Sequence, residues 1–428
     1  MFNNILKNKG LSMLLMMGLA IAPALVSCED DATDTSADAV VRYFRPTDMQ
    51  VSDSLITELS LGQTVAMIGE NLDNVIAMRF NDKDIILNPC YITPESIVFT
   101  TPMSIPGEVT NKLYLTLKNG NVQELDVPTI LPGPSITTVS KGYLKEGDKV
   151  SIKGNYFIPT ADKGVEIELP GGVSVTPDES STYTVLNFTV PAGISGNGAL
   201  KIKTAFGSTN YAYEMVAFDN LAESKVDGIL FDFDGKNGAL QNCNGWRNGY
   251  FADAPKELTG KSYKLDNKGN EVNKGDWFED NMTFNYWPDE SDNILTRVAV
   301  DDIKNYAYQM EVYVAQPWRT LGMSIIPTSL ATVSSSNNNN AYYSSVPCYL
   351  WTPYNVDPEY TTGGDWITLT MPLTEFNKLA DGTAASSPLS KDDLAGLTIW
   401  WGASATYGDA PFHPEVYIDN IRLVKAKY

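Results

Sequence analysis

Four short segments in the C-terminal half carry tryptophan or tyrosine beside Gly, Pro, Asn or Arg, which are residues of loops and strand ends. A flat indole or phenol ring covers the apolar C–H face of a pyranose, while nearby amide and guanidinium groups hydrogen-bond its hydroxyls. These segments therefore predict a surface that binds a sugar chain through stacked rings. The predicted stacking rings are Trp287, Trp351 and Tyr354, with Trp246 and Trp318 as further candidates.

Other aromatic residues fit a core better than a surface, because Trp and Tyr also fill the interiors of β-sandwiches. Trp366, Trp400 and Trp277 lie within alternating or apolar runs, so we expect them in the core. All eight tryptophans lie at or beyond Trp246. The N-terminal half therefore has no tryptophan platform of its own.

The chain contains one histidine, His413, which we expect to be a structural loop residue. A Ser-His-Asp or Cys-His mechanism would depend on it, and a zinc site with several histidines is excluded. The paired-carboxylate patterns of jelly-roll β-glucanases, Glu-x-Asp-x-x-Glu and Glu-x-Asp-x-Glu, are absent from the sequence. Glu279 and Asp280 are adjacent and would point to opposite faces of a strand. We therefore predict no catalytic residues.

A short acidic segment, Asp232 to Gly238, is superficially similar to a calcium-binding loop. Lys236 stands at the fifth ligand position of that pattern, which favours a tight turn instead. We predict no cofactor, and a structural calcium ion in this domain stays open.

An internal repeat organises the first half of the chain. Gly62 to Leu72 matches Gly147 to Phe157, and Phe99 to Pro102 matches Phe188 to Pro191. Apolar and polar residues alternate in both copies, as in a strand with one buried and one wet face. The pattern Gly-x-x-Val-x-Ile-x-Gly-x-Asn resembles the IPT/TIG immunoglobulin-like fold, whose modules are usually spacers. We predict module 1 at residues 40–132 and module 2 at residues 133–218.

Residues 219–428 fit a single larger β-sandwich of jelly-roll type. Ile229 to Phe233 opens this domain and Val416 to Val424 closes it, and we expect these two strands to pair. Helices are expected only near residues 373–379 and after Ser390, where a cap is followed by acids. The predicted fold is all-β: two tandem immunoglobulin-like sandwiches followed by a β-jelly-roll.

The first 27 residues predict a secretion signal, because two lysines precede an apolar run that is short for a membrane span. Leu25-Val26-Ser27-Cys28 resembles the bacterial lipobox, which implies that Cys28 is acylated. The acids Glu29 to Asp31 resemble the signal that sends lipoproteins of the Bacteroidota to the outer face of the outer membrane. Residues 28–39 are predicted to form a flexible tether.

The net charge of −21 disfavours nucleic acid, uronic-acid-rich polysaccharide and anionic lipid as partners, because their binding relies on Lys and Arg. A neutral polysaccharide meets no such repulsion. Beyond Cys28, the three cysteines Cys90, Cys243 and Cys348 argue against a disulfide scaffold. A single Cys243–Cys348 bond stays open.

Taken in order, the lipobox, the tandem modules and the aromatic C-terminal block resemble the surface glycan-binding protein B family of Bacteroidota polysaccharide-utilisation systems. Within that block the resemblance rests on Glu311 to Trp318, Tyr349 to Tyr354 and Gly364 to Leu373. It implies non-catalytic binding of xyloglucan, mixed-linkage β-glucan or a related hemicellulose, together with an outer-membrane glycan transporter and its lid lipoprotein. Two alternatives stay open: a jelly-roll hydrolase or lyase with an unrecognised carboxyl pair, and a structural adhesin.

Overall fold

The computed structural model describes residues 37–48, 54–160, 163–240, 248–272, 282–287, 289–331, 345–403, 411 and 413–428. The predictions for the signal segment, the tether up to residue 36, Cys28, Trp246, Trp277 and the Glu279-Asp280 pair lie outside these residues. Contacts divide the chain into two units, Met1–Pro128 and Thr129–Tyr428.

The first unit contains module 1, a sandwich of a three-stranded and a four-stranded antiparallel sheet with the orders β1-β3-β6 and β5-β4-β7-β8. Strand β7 shows why these residues form a sandwich, since Leu113, Leu115 and Leu117 are buried while the residues between them are not. The strands are β1 (Val40–Pro46), β2 (Leu59–Ser60), β3 (Thr64–Glu70), β4 (Val75–Phe80), β5 (Lys83–Ile85), β6 (Ser96–Thr100), β7 (Lys112–Leu117) and β8 (Val122–Asp126).

Module 2 opens the second unit and repeats this arrangement, with sheets in the orders β10-β12-β15 and β14-β13-β16-β17. Its Val150 pairs with Phe188 as Val65 pairs with Phe99 in module 1, so the sequence repeat is also a structural repeat. Strand β9 (Thr129–Ile130) precedes the module, whose strands are β10 (Ser135–Val139), β11 (Tyr143–Leu144), β12 (Lys149–Asn155), β13 (Glu166–Leu169), β14 (Val173–Val175), β15 (Val185–Thr189), β16 (Lys201–Thr204), β17 (Gly207–Asn210) and β18 (Val216–Ala217).

Gly69 and Gly154 occupy equivalent positions in the two modules, where the neighbouring strand leaves no room for a side chain. A Cβ atom at Gly69 would lie 1.9 Å from the carbonyl oxygen of Val40, and one at Gly154 would lie 1.9 Å from that of Ser135. In both modules the neighbouring strand shifts register beside the glycine. The glycine is therefore required by a close backbone approach at a bulge.

The C-terminal domain is a sandwich of a six-stranded and a four-stranded sheet. The six-stranded sheet has the order β20-β21-β28-β23-β26 with β19 also on β28, and the four-stranded sheet has the order β22-β27-β24-β25. The strands are β19 (Ile229–Phe231), β20 (Tyr250–Ala252), β21 (Ser262–Leu265), β22 (Thr283–Tyr286), β23 (Tyr306–Val314), β24 (Gly322–Thr328), β25 (Tyr349–Trp351), β26 (Ile367–Pro372), β27 (Gly396–Ala403) and β28 (Val416–Lys425).

The opening and closing strands of this domain pair, as the sequence predicted. Phe231 of β19 lies opposite Ile421 of β28, and both side chains belong to the core between the two sheets. All nine residues of the central strand β23 are buried. A strand is buried on both faces only when each face is covered, so the outer face of the six-stranded sheet is also packed against something.

Module 2 covers that outer face. An apolar cluster joins Tyr143, Val216 and Leu221 of the module and its exit to Tyr313, Trp366 and Tyr417 of the sheet. Trp366 is 1% exposed, which confirms its predicted burial, although the core that it fills lies between two domains. Module 2 and the C-terminal domain therefore form one continuous packed unit.

Helical structure is short throughout the described residues. Helix α1 spans Phe218–Ala222 and helix α2 spans Ile294–Arg297. The two helices predicted near residue 373 and after Ser390 are 3-10 turns at Leu373–Glu375 and Lys391–Leu394, the second with Ser390 as its cap. Among the residues that the structure describes, a helix of sufficient length and hydropathy to cross a membrane was not found.

Candidate functional site

Trp318 lies in the core, so its prediction as a stacking ring is wrong. Its side chain is 0% exposed, and its indole Nε1 donates hydrogen bonds to the carbonyl oxygens of Thr320 and Leu321 at 2.8 Å each. The ring centroid is 4.6 Å from that of Trp401. The flanking Pro317 and Arg319 do mark a loop, but the ring of Trp318 in that loop packs into the sandwich core.

Tyr354 is also buried, with 8% of its surface exposed, so its predicted role as a stacking ring is wrong. It belongs to the 3-10 turn Pro353–Asn355 and packs against the core of the C-terminal domain. Proline in this segment starts a turn, as expected, but the turn directs the tyrosine inward.

Trp351 is half-buried on the core side of the four-stranded sheet. It lies opposite Met323, which in turn lies opposite Trp401, and cross-strand partners point to the same face. Its ring contacts Trp318 edge to face at 5.1 Å and Tyr360 at 5.8 Å. Most of the ring is therefore part of an internal aromatic cluster.

Trp287 lies on the other face of the same sheet. It follows β22 directly, is half-buried, and its indole Nε1 donates a hydrogen bond to the hydroxyl of Thr398 at 3.2 Å. Thr398 lies opposite Asn285 and alternates with the core residue Ile399, so its side chain points outward. Trp287 and Trp351 thus lie on opposite faces, and the expectation of one row containing both is wrong.

Trp400, which the sequence predicts in the core, packs against a small buried cluster of Ile326, Cys348 and Ala380 on the face of the sheet away from the main core. It is half-buried and lies opposite Thr283 and Ser324, on the same outward face as Thr398. Two residues along a strand are separated by roughly 7 Å, so Trp400 lies one step from the position that Trp287 contacts. The Trp400-Trp401 doublet in the sequence indicates that one of the two rings faces away from the main core, because adjacent strand residues point to opposite faces.

We call the surface that carries the half-buried rings of Trp287 and Trp400 the tryptophan face; Asn285 and Thr398 lie beneath it, 1% and 0% exposed. A hydrogen-bonded row supports it from beneath. The amide nitrogen of Asn285 donates to the side-chain oxygens of Asn248 at 3.0 Å and Thr283 at 3.2 Å. The hydroxyl of Thr398 donates to the amide oxygen of Asn285 at 3.0 Å. The indole N–H of Trp287 is therefore fixed by a chain of buried polar groups, which orients its ring.

The chemistry of the tryptophan face is neutral. Its rings are indoles, and the amide and hydroxyl groups beneath them are bonded to one another. The arrangement fits stacking of an indole on the apolar face of a sugar ring.

The acidic loop at Asp232 is built around a lysine. The Asp232 carboxylate accepts hydrogen bonds from the Ser224 hydroxyl at 2.6 Å and from three backbone N–H groups of its own loop. The ammonium group of Lys236 lies 3.0 Å from the carbonyl oxygens of Ala222 and Thr259. It is also 3.4 Å from the carboxylate of Asp234. The Lys236 ammonium group therefore occupies the position among these oxygens where a bound calcium ion would lie.

Among the described residues, groups suited to catalysis are not gathered at the tryptophan face. In the part of the chain that the structure describes, no cluster of three or more His, Cys, Asp or Glu is placed to hold a metal ion. Glu311 and Asp419 lie opposite each other on β23 and β28, but both are 0% exposed. Burial raises the pKa of both carboxyl groups above their ordinary values. Buried from solvent, this pair has no access to a glycosidic bond.

The remaining reactive residues are separate. His413 is exposed, and its Nε2 lies 3.8 Å from the carboxylate of Glu271. Cys90 is an exposed free thiol and Cys348 a buried one, and burial raises the pKa of Cys348 to about 12. The question of a Cys243–Cys348 bond lies outside the described residues, because Cys243 does.

Two immunoglobulin-like modules followed by a β-sandwich with a neutral, ring-bearing face define a modular carbohydrate-binding protein. Residues 223–425 match the family described as surface glycan-binding protein B xyloglucan binding domain, and residues 134–215 match the IPT/TIG domain. Residues 223–425 therefore form a domain of the surface glycan-binding protein B type, as the sequence motifs indicated.

Two similar proteins support this assignment. An IPT/TIG domain-containing protein of Bacteroides ovatus is 27% identical over 207 residues, which cover 44% of this chain and 42% of that protein. The match therefore spans less than half the length of this curated relative. The crystal structure of surface glycan-binding protein PbSGBP-B from Prevotella bryantii is 25% identical, with a TM-score of 0.78, over 91% of this chain and 99% of that chain. The predicted all-β fold is confirmed.

Proposed function

We propose that this chain is a non-catalytic cell-surface protein that binds a neutral β-linked polysaccharide, xyloglucan or a related β-glucan, on the tryptophan face. The observation that carries the proposal is the placement of Trp287 and Trp400 on one face of one sheet. Both rings are half-buried, so each is supported from behind. The description of the matching family supports xyloglucan as the first ligand to test.

The expected affinity follows from the number and rigidity of the rings. An aromatic stacking contact is worth about 0.5–1.5 kcal/mol beyond its buried area. The hydrogen bond from Trp287 to Thr398 fixes the indole ring before the sugar arrives. A ring that is already fixed loses little entropy on binding. Two such rings give modest affinity for a short oligosaccharide, and a long polymer with many repeats binds more tightly through rebinding.

The predicted membrane anchor completes the proposal. Acylation of Cys28 would hold the chain on the outer face of the outer membrane, with the acidic residues that follow as the export signal. Several acyl chains are needed for stable attachment. There the protein would pass bound glycan to an outer-membrane transporter and its lid lipoprotein. Labelling with a radioactive fatty acid, compared between the native chain and Cys28→Ala, tests the anchor.

Affinity gel electrophoresis of the mature chain tests glycan binding. Gels contain xyloglucan, mixed-linkage β-glucan or, as a charged comparison, polygalacturonate. We expect retardation by at least one neutral glucan and none by the polyanion, because the net charge is −21. Trp287→Ala should weaken retardation about 3- to 10-fold, as the loss of one stacking contact predicts.

Phe251→Ala is the matched control, because Phe251 is 48% exposed at the edge of the other sheet. Normal retardation of Trp287→Ala, with both variants folded, would contradict the proposed site. Release of reducing sugar during incubation would instead support the hydrolase alternative. Absence of retardation by every glycan would favour the adhesin alternative.

A further inference from the structure

Module 1 carries an open groove with a volume of about 480 Å³ beside its edge strand β6. One wall is the segment that follows β5, with Ile86 and Tyr91, and the floor is formed by Val98 and Thr100 of β6. Ligand pockets commonly measure about 300–1,000 Å³. The groove is therefore large enough for one or two sugar rings.

The wall presents a ring and an aliphatic side chain to solvent. Tyr91 is 56% exposed and Ile86 is 93% exposed, unusually high values for large hydrophobic residues. The backbone beneath Tyr91 is fixed, since the side chain of Asn88 caps its 3-10 turn by accepting the N–H of Cys90 at 3.0 Å. A phenol ring held on a capped turn is suited to stacking on a flat apolar surface.

The floor supplies neutral hydrogen-bonding groups. Thr64 of β3 lies opposite Thr100 of β6, and their hydroxyl oxygens are 2.8 Å apart. Both residues are exposed, so each hydroxyl also has bonding capacity toward the groove. The rim adds the carboxylate of Asp84 and the amide of Asn88. Hydroxyl, amide and carboxylate groups around an aromatic ring form the same combination that recognises sugars elsewhere.

The charge of the lining decides between classes of ligand. Among the described residues that line the groove, Asp84 is the one carboxylate, and none is Lys, Arg or His. An anionic ligand would meet repulsion without a compensating cation. An apolar peptide would take the carboxylate of Asp84 and the amide of Asn88 out of water without replacing their hydrogen bonds, which costs free energy. A neutral polyhydroxylated ligand avoids both penalties.

We propose that this groove is a second glycan site, which binds a short segment of the same neutral polysaccharide with lower affinity. The inference rests on the proposed function, because the C-terminal site selects the polymer. A second weak site on one chain raises the effective affinity for a long polymer without a need for strong contacts of its own. Tyr91 is the stacking ring, the Asp84 carboxylate accepts hydrogen bonds from sugar hydroxyls, and the Asn88 amide nitrogen donates to them.

The test uses the full mature chain in affinity gels with the neutral glucan that retards it best. Tyr91→Ala should reduce retardation by the polymer about 3- to 10-fold, the loss expected for one stacking contact. Tyr43→Ala is the matched control, because Tyr43 is a 41% exposed tyrosine of the same module outside the groove. The double variant Trp287→Ala/Trp400→Ala should keep weak retardation, and adding Tyr91→Ala should abolish it.

The outcomes separate the two proposals. If the native chain is not retarded by any neutral glucan, the proposed function fails and the second site fails with it. If the native chain is retarded but Tyr91→Ala equals Tyr43→Ala, the second site is overturned while the proposed function stands. The second site is also overturned if the Trp287→Ala/Trp400→Ala variant keeps its weak retardation after Tyr91→Ala is added. Thermal unfolding of each variant confirms that exposed-site substitutions leave module 1 folded.

Discussion

The carboxylate of Glu311 and the guanidinium of Arg422 form an ion pair of 2.8 Å, and their side chains are 0% and 1% exposed. The pair lies where module 2 covers the six-stranded sheet. The hydroxyl of Thr368 donates to Glu311 at 2.5 Å and accepts the backbone N–H of Gly142 in module 2 at 2.6 Å. Arg422 also donates to Gln309 at 3.0 Å. The ion pair is thus bonded to the backbone of the neighbouring module.

Removal of Arg422 should destabilise the second unit strongly. Arg422→Met leaves the Glu311 carboxyl buried without its counter-charge, and loss of one partner of a buried pair costs about 3–5 kcal/mol. Chemical denaturation followed by circular dichroism measures this loss. Glu311→Gln/Arg422→Met should cost less than Arg422→Met alone, because no buried charge remains. Equal losses for the single and double variants would show that lost packing, not charge, dominates.

Acid should weaken the contact between module 2 and the C-terminal domain through Asp365. Its carboxylate lies 2.8 Å from Lys141 of module 2 and 2.6 Å from Lys256. Desolvation works to raise the pKa of Asp365, but its hydrogen bonds to Lys141 and Lys256 hold it below the ordinary 3.8. A lowered folded pKa stabilises the protein above pH 3.8, and this stabilisation is lost as the pH falls through the folded value.

The comparison that tests this is thermal unfolding of the native chain and Asp365→Asn between pH 7 and pH 2. The native chain should be more stable at pH 7, and the difference should shrink below about pH 4. A difference that stays constant down to pH 2 would contradict the assignment to the carboxylate.

The fold was largely predictable because it follows from local patterns. The alternation at Val65 and Met67 recurs at Val150 and Ile152, and both pairs are buried as their pattern requires. The pairing of the first and last strands of the C-terminal domain followed equally from two apolar runs. The burial of β23 on both faces did not, because a sequence does not show which module will cover a sheet.

The site was less predictable, because neighbouring residue types indicate a loop but not the direction of a side chain. Trp318 and Tyr354 both stand beside proline, and both point inward. Trp400 stands in an apolar strand and faces away from the main core, where it packs against a second, smaller cluster. Strand parity predicts that face, since Trp401 occupies the adjacent position in the main core. Register relative to a buried neighbour is thus a better guide than composition.

We expect the Lys236 ammonium group, and not a metal ion, to stabilise the loop at Asp232. Lys236→Met removes its bonds to the carbonyls of Ala222 and Thr259 and should cost about 1–2 kcal/mol, since its side chain is 40% exposed. The melting temperature of the native chain should not change on addition of EDTA. A fall in melting temperature with EDTA, restored by calcium, would show that a metal ion is bound after all.

Trp318 and Trp400 should separate stability from binding. Trp318→Ala empties a core position and should cost about 3–5 kcal/mol of unfolding free energy. Trp400→Ala changes a half-buried ring and should weaken glucan retardation about 3- to 10-fold at native-like stability. Denaturation and affinity gels on the same preparations give both quantities. A folded Trp400→Ala chain with native retardation would remove Trp400 from the site.

Thr398 should act as a positioning residue for Trp287. Thr398→Val keeps the shape of the side chain but removes the acceptor of the indole N–H and the donor to Asn285. A hydrogen bond contributes about 1 kcal/mol net, so affinity should fall about fivefold if the ring must be held in place. Ser324→Ala, which removes another buried hydroxyl from the same face, is the control.

Titration calorimetry with a glucan oligosaccharide should show the loss of affinity in Thr398→Val mainly as a less favourable entropy, because a freed ring must be ordered on binding. Unchanged affinity in Thr398→Val would mean that Trp287 is positioned by packing alone.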